Sequence, residues 1–144
     1  MTTYLLDTNC LLSYITDRSP EQQSVISELP QDASSARCQL VVTNSVAMEL
    51  VFVLRKVYAR SAQETGDVLV NLSKTPGVMF LAEAGWSSVA ENWPNPFRDY
   101  GDAVLATTAR AHQIPVLTFD QQFRATFLKQ RIGCSLLHAP RGSQ

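Results

Sequence analysis

The sequence predicts an α/β fold, a single-domain three-layer sandwich with a mainly parallel five-stranded sheet. Short apolar runs, which are typical of buried strands, alternate along the chain with longer segments that carry apolar residues at helical spacing. Hydrophobic residues make up 45% of the 144 residues and charged residues 17%, a composition that supports one packed core and excludes global disorder. We expect residues 1–140 to form the domain and residues 141–144 to be a frayed tail.

The first quarter of the chain is predicted to contain one strand and two helical segments, at residues 3–6, 11–15 and 21–29. Pro20 suits the position at which the second helix begins, and Pro30 is expected to end it. The polar segment that follows, residues 31–37, is rich in Ser and Ala, and we expect it to be a loop.

Strands and helices alternate along the rest of the chain. Turn-forming residues separate several of them, among them Pro76, Gly77 and Pro94. The remaining strands are predicted at residues 40–43, 78–81, 115–119 and 134–137. The remaining helices are predicted at residues 46–58, 62–73, 86–93, 99–112 and 122–129.

Cysteine usage and hydropathy indicate a cytoplasmic protein. The three cysteines, Cys10, Cys38 and Cys134, form no C-x-x-C pair and favour reduced thiols over a disulfide framework. We find no basic, apolar leader at the N-terminus and no stretch near the roughly 20 apolar residues of a membrane span. No membrane partner is therefore expected. The net charge of −1 neither supports nor excludes a nucleic acid partner, because divalent ions bound among acids would reverse the local sign.

Four acidic residues lie where the predicted strands end or the next helices begin. Asp7 follows the first strand, Glu49 lies in the first turn of the helix after the second, and Asp120 follows the fourth. Asp102 lies in the first turn of the helix that starts near residue 99. Parallel strands have their carboxyl ends at one edge of a sheet, so these acids are expected to converge there. Each acid alone could instead cap a helix or complement its dipole, but capping does not explain a gathering at one edge.

Clustered carboxylates limit the chemistry of such a site. Like charges a few ångströms apart need either raised pKa values or bound cations. Oxygen ligands without Cys or His favour Mg²⁺ or Mn²⁺. Ions of this kind take phosphate oxygens as further ligands and activate water, so hydrolysis of a phosphodiester bond is the natural reaction.

Four segments of the chain together resemble the successive motifs of PIN domains, in order and separation, from about residue 3 to residue 137. These segments are Leu5-Leu6-Asp7-Thr8-Asn9, Val46-Ala47-Met48-Glu49-Leu50, Asp102-Ala103-Val104-Leu105-Ala106-Thr107-Thr108-Ala109 and Val116-Leu117-Thr118-Phe119-Asp120. Within that family the chain looks most like the VapC-type toxins, small ribonucleases paired with VapB antitoxins. The resemblance implies a metal-dependent endoribonuclease with an RNA substrate, an antitoxin partner and a homodimer.

The resemblance also implies roles for individual residues. Asp7, Glu49 and Asp102 match the three principal metal-site acids, and Asp120 matches a fourth that often acts through water. Thr8, Asn9 and Thr118 match polar positions that would orient a carboxylate or a phosphate. Asp99 is either a further ligand or the cap of its helix, and the Ala-rich run after Asp102 favours Asp102 as the ligand.

Basic and aromatic residues near these motifs have two interpretations each. Arg55 and Lys56, followed by Arg60 on the same predicted helix, could bind RNA phosphates or complement the helix dipole. Arg98, beside the Asp102 helix, is another candidate for phosphate binding. An aromatic group is expected to pack in the core or to contact an antitoxin or a second copy of the chain, and it consists of Trp86, Trp93, Phe97 and Tyr100.

Three other functions were weighed. A haloacid-dehalogenase-like phosphatase would need an acid where this chain has Asn9, and a receiver domain would need an adjacent acidic pair and a lysine near the chain end. Both are disfavoured. A PIN-fold binding module without catalytic activity remains the alternative to the nuclease.

Overall fold

The structure, a computed structural model, describes residues 2–137 and contains one five-stranded sheet. The strands are β1 Thr2–Leu6, β2 Cys38–Thr43, β3 Val78–Leu81, β4 Val116–Thr118 and β5 Cys134–Leu136. Their order across the sheet is β3-β2-β1-β4-β5, and every neighbouring pair is parallel. The predicted α/β fold is confirmed, with a sheet that is entirely parallel.

Helices connect the strands and flank the sheet. They are α1 Thr8–Ile15, α2 Pro20–Ile26, α3 Glu28–Ser34, α4 Asn44–Lys56, α5 Ala62–Lys74, α6 Trp86–Ala90, α7 Tyr100–His112 and α8 Gln121–Lys129. The chain moves outward from β1 to β3, returns to β4 beside β1, and ends at β5 on the other edge. Right-handed crossovers in these two directions place helices on opposite faces, which produces three layers.

The prediction for the segment around Pro30 was wrong. The second helix ends at Ile26, and α3 begins at Glu28 and includes most of the predicted loop 31–37. Pro30 lies in the first turn of α3, where a backbone N–H has no partner within the helix, so proline is tolerated there. The proline therefore starts a helix here and does not stop one.

Helix α4 begins two residues earlier than its apolar pattern predicts, and this changes the position of Glu49. Thr43 caps the helix by accepting a hydrogen bond from the backbone N–H of Val46 at 3.4 Å. Glu49 consequently lies in the second turn, and the expectation that it complements the helix dipole in the first turn was wrong. Arg60, expected on this helix, lies beyond its end at Lys56.

The buried core holds the sheet and the helices together around the central strand. Leu5 on β1, Leu50 on α4 and Val116 on β4 are fully buried. The strand order reverses between β1 and β4, and in parallel sheets this is where a crevice opens at the carboxyl ends. Among the described helices none is long and apolar enough to cross a membrane. The predicted tail 141–144 lies outside the described residues.

Candidate active site

A chain of hydrogen bonds joins the carboxyl ends of β1 and β4. The Thr118 hydroxyl donates to Asp7 Oδ2 at 3.1 Å, and it accepts from the backbone N–H of Asp120 at 3.1 Å. Thr118 is fully buried, whereas Asp7 is partly buried and Asp120 is exposed. Two of the predicted acids thus flank the point where the strand order reverses, with Thr118 between them.

Glu49 reaches the same region from α4. Its Oε2 accepts a hydrogen bond of 2.8 Å from the hydroxyl of Thr8, the buried residue directly after Asp7. A side chain at Gly101 would place its Cβ 3.9 Å from the same Glu49 oxygen, so Glu49 lies against the start of α7. A side chain at position 101 would meet Asp99 Oδ1 more closely, at 3.1 Å from its Cβ.

Asp102 and Asp99 lie together at the start of α7. Asp99 Oδ1 accepts a hydrogen bond from the backbone N–H of Asp102 at 2.9 Å, as the helix-cap interpretation of Asp99 predicts. Asp99 is exposed, and Asp102 is partly buried. Asp120 is likewise both a helix cap and a candidate ligand, because its Oδ1 caps α8 while its other carboxylate oxygen takes no part in that cap.

The pKa values show that the acids affect one another. Burial raises the pKa of Asp7 from its ordinary value of 3.8 to about 6, and the charge of Glu49 adds to the rise. Burial also raises the pKa of Asp102 to about 7, with added repulsion from Asp99, Asp7, Glu49 and Asp120. Every predicted acid therefore contributes to one negative field at this edge of the sheet.

The chemical type of the candidate ligand atoms suits a hard cation. All candidate ligands are carboxylate oxygens, and these favour Mg²⁺ or Mn²⁺ over softer ions. Within residues 2–137, however, no group of three or more Asp, Glu, His or Cys side chains lies close enough together to enclose an ion. Glu49 and Asp120 have exposed side chains, and hydrogen bonds hold them to the Thr8 hydroxyl and to the backbone N–H groups of Gln122 and Phe123, respectively.

The basic candidates occupy different places. Arg98 is exposed and lines an open cleft together with Asp99, Asp102 and Asp120. Arg55 and Lys56 are exposed in the last turn of α4, where positive charge complements the helix dipole. They lie six and seven residues beyond Glu49, about 10 Å along the helix axis.

Arg18 is a residue near the site that the sequence analysis missed. Its Nη1 donates to Asn9 Oδ1 at 3.2 Å, and its Nε donates to the Ser13 hydroxyl at 3.0 Å. The contacts hold the exposed Asn9 side chain, two residues after Asp7, next to a positive charge. A lone arginine in the turn between two helices carries no sequence signal, since only the path of the turn brings it back to α1.

Comparison with known proteins identifies the family. Residues 4–127 match the family model described as the PIN domain. The chain belongs to the PIN-domain family. No curated protein matches it by sequence.

Solved structures share the fold of this PIN domain at low sequence identity. VapBC2 from Rickettsia felis, bound to a DNA fragment from its promoter, has a TM-score of 0.67 and 13% identity, with 95% of this chain and 100% of that chain covered. VapBC-1 from nontypeable Haemophilus influenzae has a TM-score of 0.63 and 13% identity, with coverage of 94% and 98%. VapC20 from Mycobacterium tuberculosis, described as a sarcin-ricin loop cleaving toxin, has a TM-score of 0.61 and 15% identity, with coverage of 85% and 93%.

Proposed function

We propose that this PIN domain is a metal-dependent endoribonuclease that hydrolyses RNA phosphodiester bonds, and that it is the toxin of a toxin–antitoxin pair. The observation that carries the proposal is the shared field of Asp7, Glu49, Asp102 and Asp120, which come from four separate parts of the chain. Capping accounts for Asp120, but it does not account for Asp7, whose side chain makes no capping hydrogen bond, or for Glu49, which lies beyond the first turn of α4. The fold shared with VapC20 and two VapBC complexes supports the choice of RNA and of a toxin role.

Each residue of the proposed site has a separate role. Asp7, Glu49, Asp102 and, through water, Asp120 would hold Mg²⁺ or Mn²⁺, with Asp99 as the cap of α7. When bound, the ion supplies the charge that activates water and offsets the charge developing on the phosphate. Thr118 orients Asp7, Thr8 orients Glu49, and the Asn9 side chain accepts a hydrogen bond from Arg18. Arg98 would contact a phosphate of the substrate, and Arg55 and Lys56 would contact phosphates farther along the RNA.

The direct test is cleavage of a mixed RNA pool with Mg²⁺, with Mn²⁺ and with EDTA. Asp7→Asn is compared with Asp67→Asn, which removes an exposed carboxylate on α5 that hydrogen-bonds only Gln63 on the same helix. We expect metal-dependent cleavage by the wild type and by Asp67→Asn, and none by Asp7→Asn. Equal cleavage by both variants would overturn the assignment of Asp7.

A binding module without catalytic activity is the second candidate. It is favoured by one observation, that no three acids among the described residues enclose an ion as they stand. Binding of RNA that survives in Asp7→Asn, with no cleavage by the wild type under any metal, would support it. Titration with Mn²⁺, followed by calorimetry, distinguishes the nuclease from the binding module. The nuclease must bind a metal ion, and Asp7→Asn should weaken that binding.

An exposed apolar surface supports a protein partner. Large apolar side chains surround Glu49, with 66% of Met48, 61% of Phe52 and 79% of Trp86 exposed. Trp86 and Tyr100 are therefore surface residues, and of the predicted aromatic group only Phe97 is buried in the core. Such a surface is typical of an interface, and we propose that it contacts a small antitoxin or a second copy of the chain.

The mass of the protein in solution distinguishes the two partners. A dimer of the chain alone that Phe52→Ser converts to a monomer would identify the second copy. A monomer that forms a complex only when a small adjacent gene is co-expressed would identify the antitoxin. Phe80→Ser, which removes an exposed phenylalanine on β3 at the sheet edge, is the matched control.

A further inference from the structure

An open cleft lies directly beside the acidic residues. Its volume is about 470 Å³, and the acids Asp99, Asp102 and Asp120 are part of its lining. The lining also includes four apolar residues, Pro96, Phe97, Phe123 and Phe127. We call it the aromatic cleft.

Phe123 is the most exposed of the three phenylalanine rings that line the cleft. Phe123 stacks on Phe127 with ring centroids 4.1 Å apart and an angle of 21° between the planes. Phe127 is buried and is also contacted by Phe97, so these two rings form a fixed floor. One face of Phe123 is covered by Phe127, while Phe123 itself is only partly buried and lines the cleft. A flat ligand could stack there.

Polar groups lie at the rim of the aromatic cleft. Gln122 and Arg98 both line it and both have exposed side chains. The position of the Gln122–Phe123 segment is set by a site acid, because Asp120 Oδ1 accepts hydrogen bonds from the backbone N–H groups of Gln122 at 2.8 Å and Phe123 at 3.1 Å. The wall of the cleft and the acidic edge are therefore held in one fixed arrangement.

We propose that the aromatic cleft binds one unstacked base of single-stranded RNA next to the bond that is cut. The base stacks on Phe123, the Gln122 amide donates and accepts hydrogen bonds at the edge of the base, and Arg98 contacts the adjoining phosphate. Aromatic side chains stack any base, whereas an amide distinguishes bases by their donors and acceptors. Phe123 thus contributes affinity, and Gln122 determines which base is preferred. This inference rests on the proposed function.

A nucleotide suits the cleft better than a protein side chain does. An anionic group is repelled by the three acids unless cations accompany it, and a phosphate bound with a divalent ion meets that requirement at the acidic edge. A ligand that carries both a flat ring and a phosphate matches a cleft whose lining contains both aromatic and acidic side chains.

The first experiment compares cleavage positions in a randomised RNA pool. Gln122→Ala is matched by Gln121→Ala, which removes the neighbouring exposed amide on α8 outside the cleft. We expect Gln121→Ala to cut with the wild-type base preference and Gln122→Ala to lose the preference at one position beside the cut. An unchanged preference in Gln122→Ala, with RNA still cleaved, would overturn the base site and leave the nuclease assignment in place.

The second experiment does not depend on cleavage. The four nucleoside 5′-monophosphates are titrated with Mg²⁺ while the amide resonances of Gln122 and Phe123 are followed by NMR. We expect both residues to shift, Gln122→Ala to change the order of the four affinities, and Phe123→Leu to weaken all four by about tenfold through lost stacking. A melting curve checks that Phe123→Leu folds.

The outcomes separate the two proposals. Nucleotide shifts at Gln122 and Phe123 without any RNA cleavage would support the base site and count against the nuclease. If no nucleotide moves either resonance, the base site is excluded and the cleft is left for the side chain of a protein partner.

Discussion

The hydroxyl of Thr118 donates a hydrogen bond of 3.1 Å to Asp7, a residue 111 positions earlier in the chain. This bond adds a side-chain link to the backbone hydrogen bonds between the central strand and its neighbour, at the point where the strand order reverses. The same hydroxyl accepts the N–H of Asp120, so one buried threonine holds two acids of the candidate site. Thr118 is for that reason the most informative position outside the acids themselves.

Replacing Thr118 with Val keeps the shape and removes this link. We expect RNA cleavage to fall about 10- to 100-fold, as is usual when a group that orients a metal ligand is lost. Stability should fall by about 1–3 kcal/mol, because the partly buried Asp7 carboxylate loses a donor and the N–H of Asp120 loses its acceptor. Cleavage assays and urea unfolding measure both effects.

Thr65→Val is the control for Thr118→Val, since Thr65 is also buried but its hydroxyl bonds within its own helix, to the Ser61 carbonyl. Wild-type cleavage by Thr118→Val would contradict the orienting role.

Replacing Asp7 with Asn should separate activity from stability. Cleavage is expected to fall by about 100-fold or more, since a group that positions charge in the site is lost. In EDTA at pH 8, however, the variant should be more stable than the wild type. The pKa of Asp7 is raised from 3.8 to about 6, and one pKa unit corresponds to about 1.4 kcal/mol, so the gain is at most about 3 kcal/mol. Thermal melting measures it, and a lower melting temperature for Asp7→Asn would argue against a raised pKa of the buried Asp7 carboxyl.

The stability of the metal-free protein should fall as pH rises. Asp7 and Asp102 have folded-state pKa values of about 6 and about 7, above the ordinary value of 3.8. The folded state therefore binds more protons than the unfolded state between these values, and the stabilisation present below about pH 4 is lost as pH rises through 6 and 7. Urea unfolding in EDTA at pH 5 and pH 8 tests the sign. Saturating Mg²⁺ should restore stability at pH 8 and have little effect at pH 5. A metal-free protein that is more stable at pH 8 would refute the raised pKa values.

Replacing Arg18 with Ala should impair cleavage without unfolding the protein. Its guanidinium holds Asn9 at 3.2 Å and places a positive charge near the acidic edge. We expect a loss of about tenfold in kcat/KM, comparable to one hydrogen bond that involves a charged group. Arg37→Ala is the control, because Arg37 forms an exposed ion pair of 2.8 Å with Asp32, and pairs of that kind contribute little to stability. If both variants cleave equally well, Arg18 has no part in the site.

Local sequence patterns predicted most of the helices and strands. They failed where one residue is compatible with two different local structures. The spacing of apolar residues predicted the helix at residues 46–58, but the cap at Thr43 moved its start and took Glu49 out of the first turn. Pro30 fits either the end of a helix or the first turn of a new one, and packing of α3 against β2 accompanies the second. Most of the aromatic group is exposed. The sequence had left a core position and an interface position open for it, because hydrophobicity alone does not distinguish the two.

The sequence by itself determined the parallel α/β fold and the acids at the ends of its strands. The spacing of apolar residues and the order of strands and helices can be read directly from the chain, and in a parallel sheet that order places the residues after each strand at one edge. Only the tertiary structure decided which side chains meet. Thr118 with Asp7, Thr8 with Glu49, Arg18 with Asn9 and the aromatic cleft beside Asp102 all depend on distances between segments far apart in the chain or on the path of a turn. No periodicity encodes those distances, since they follow from how the helices pack on the finished sheet.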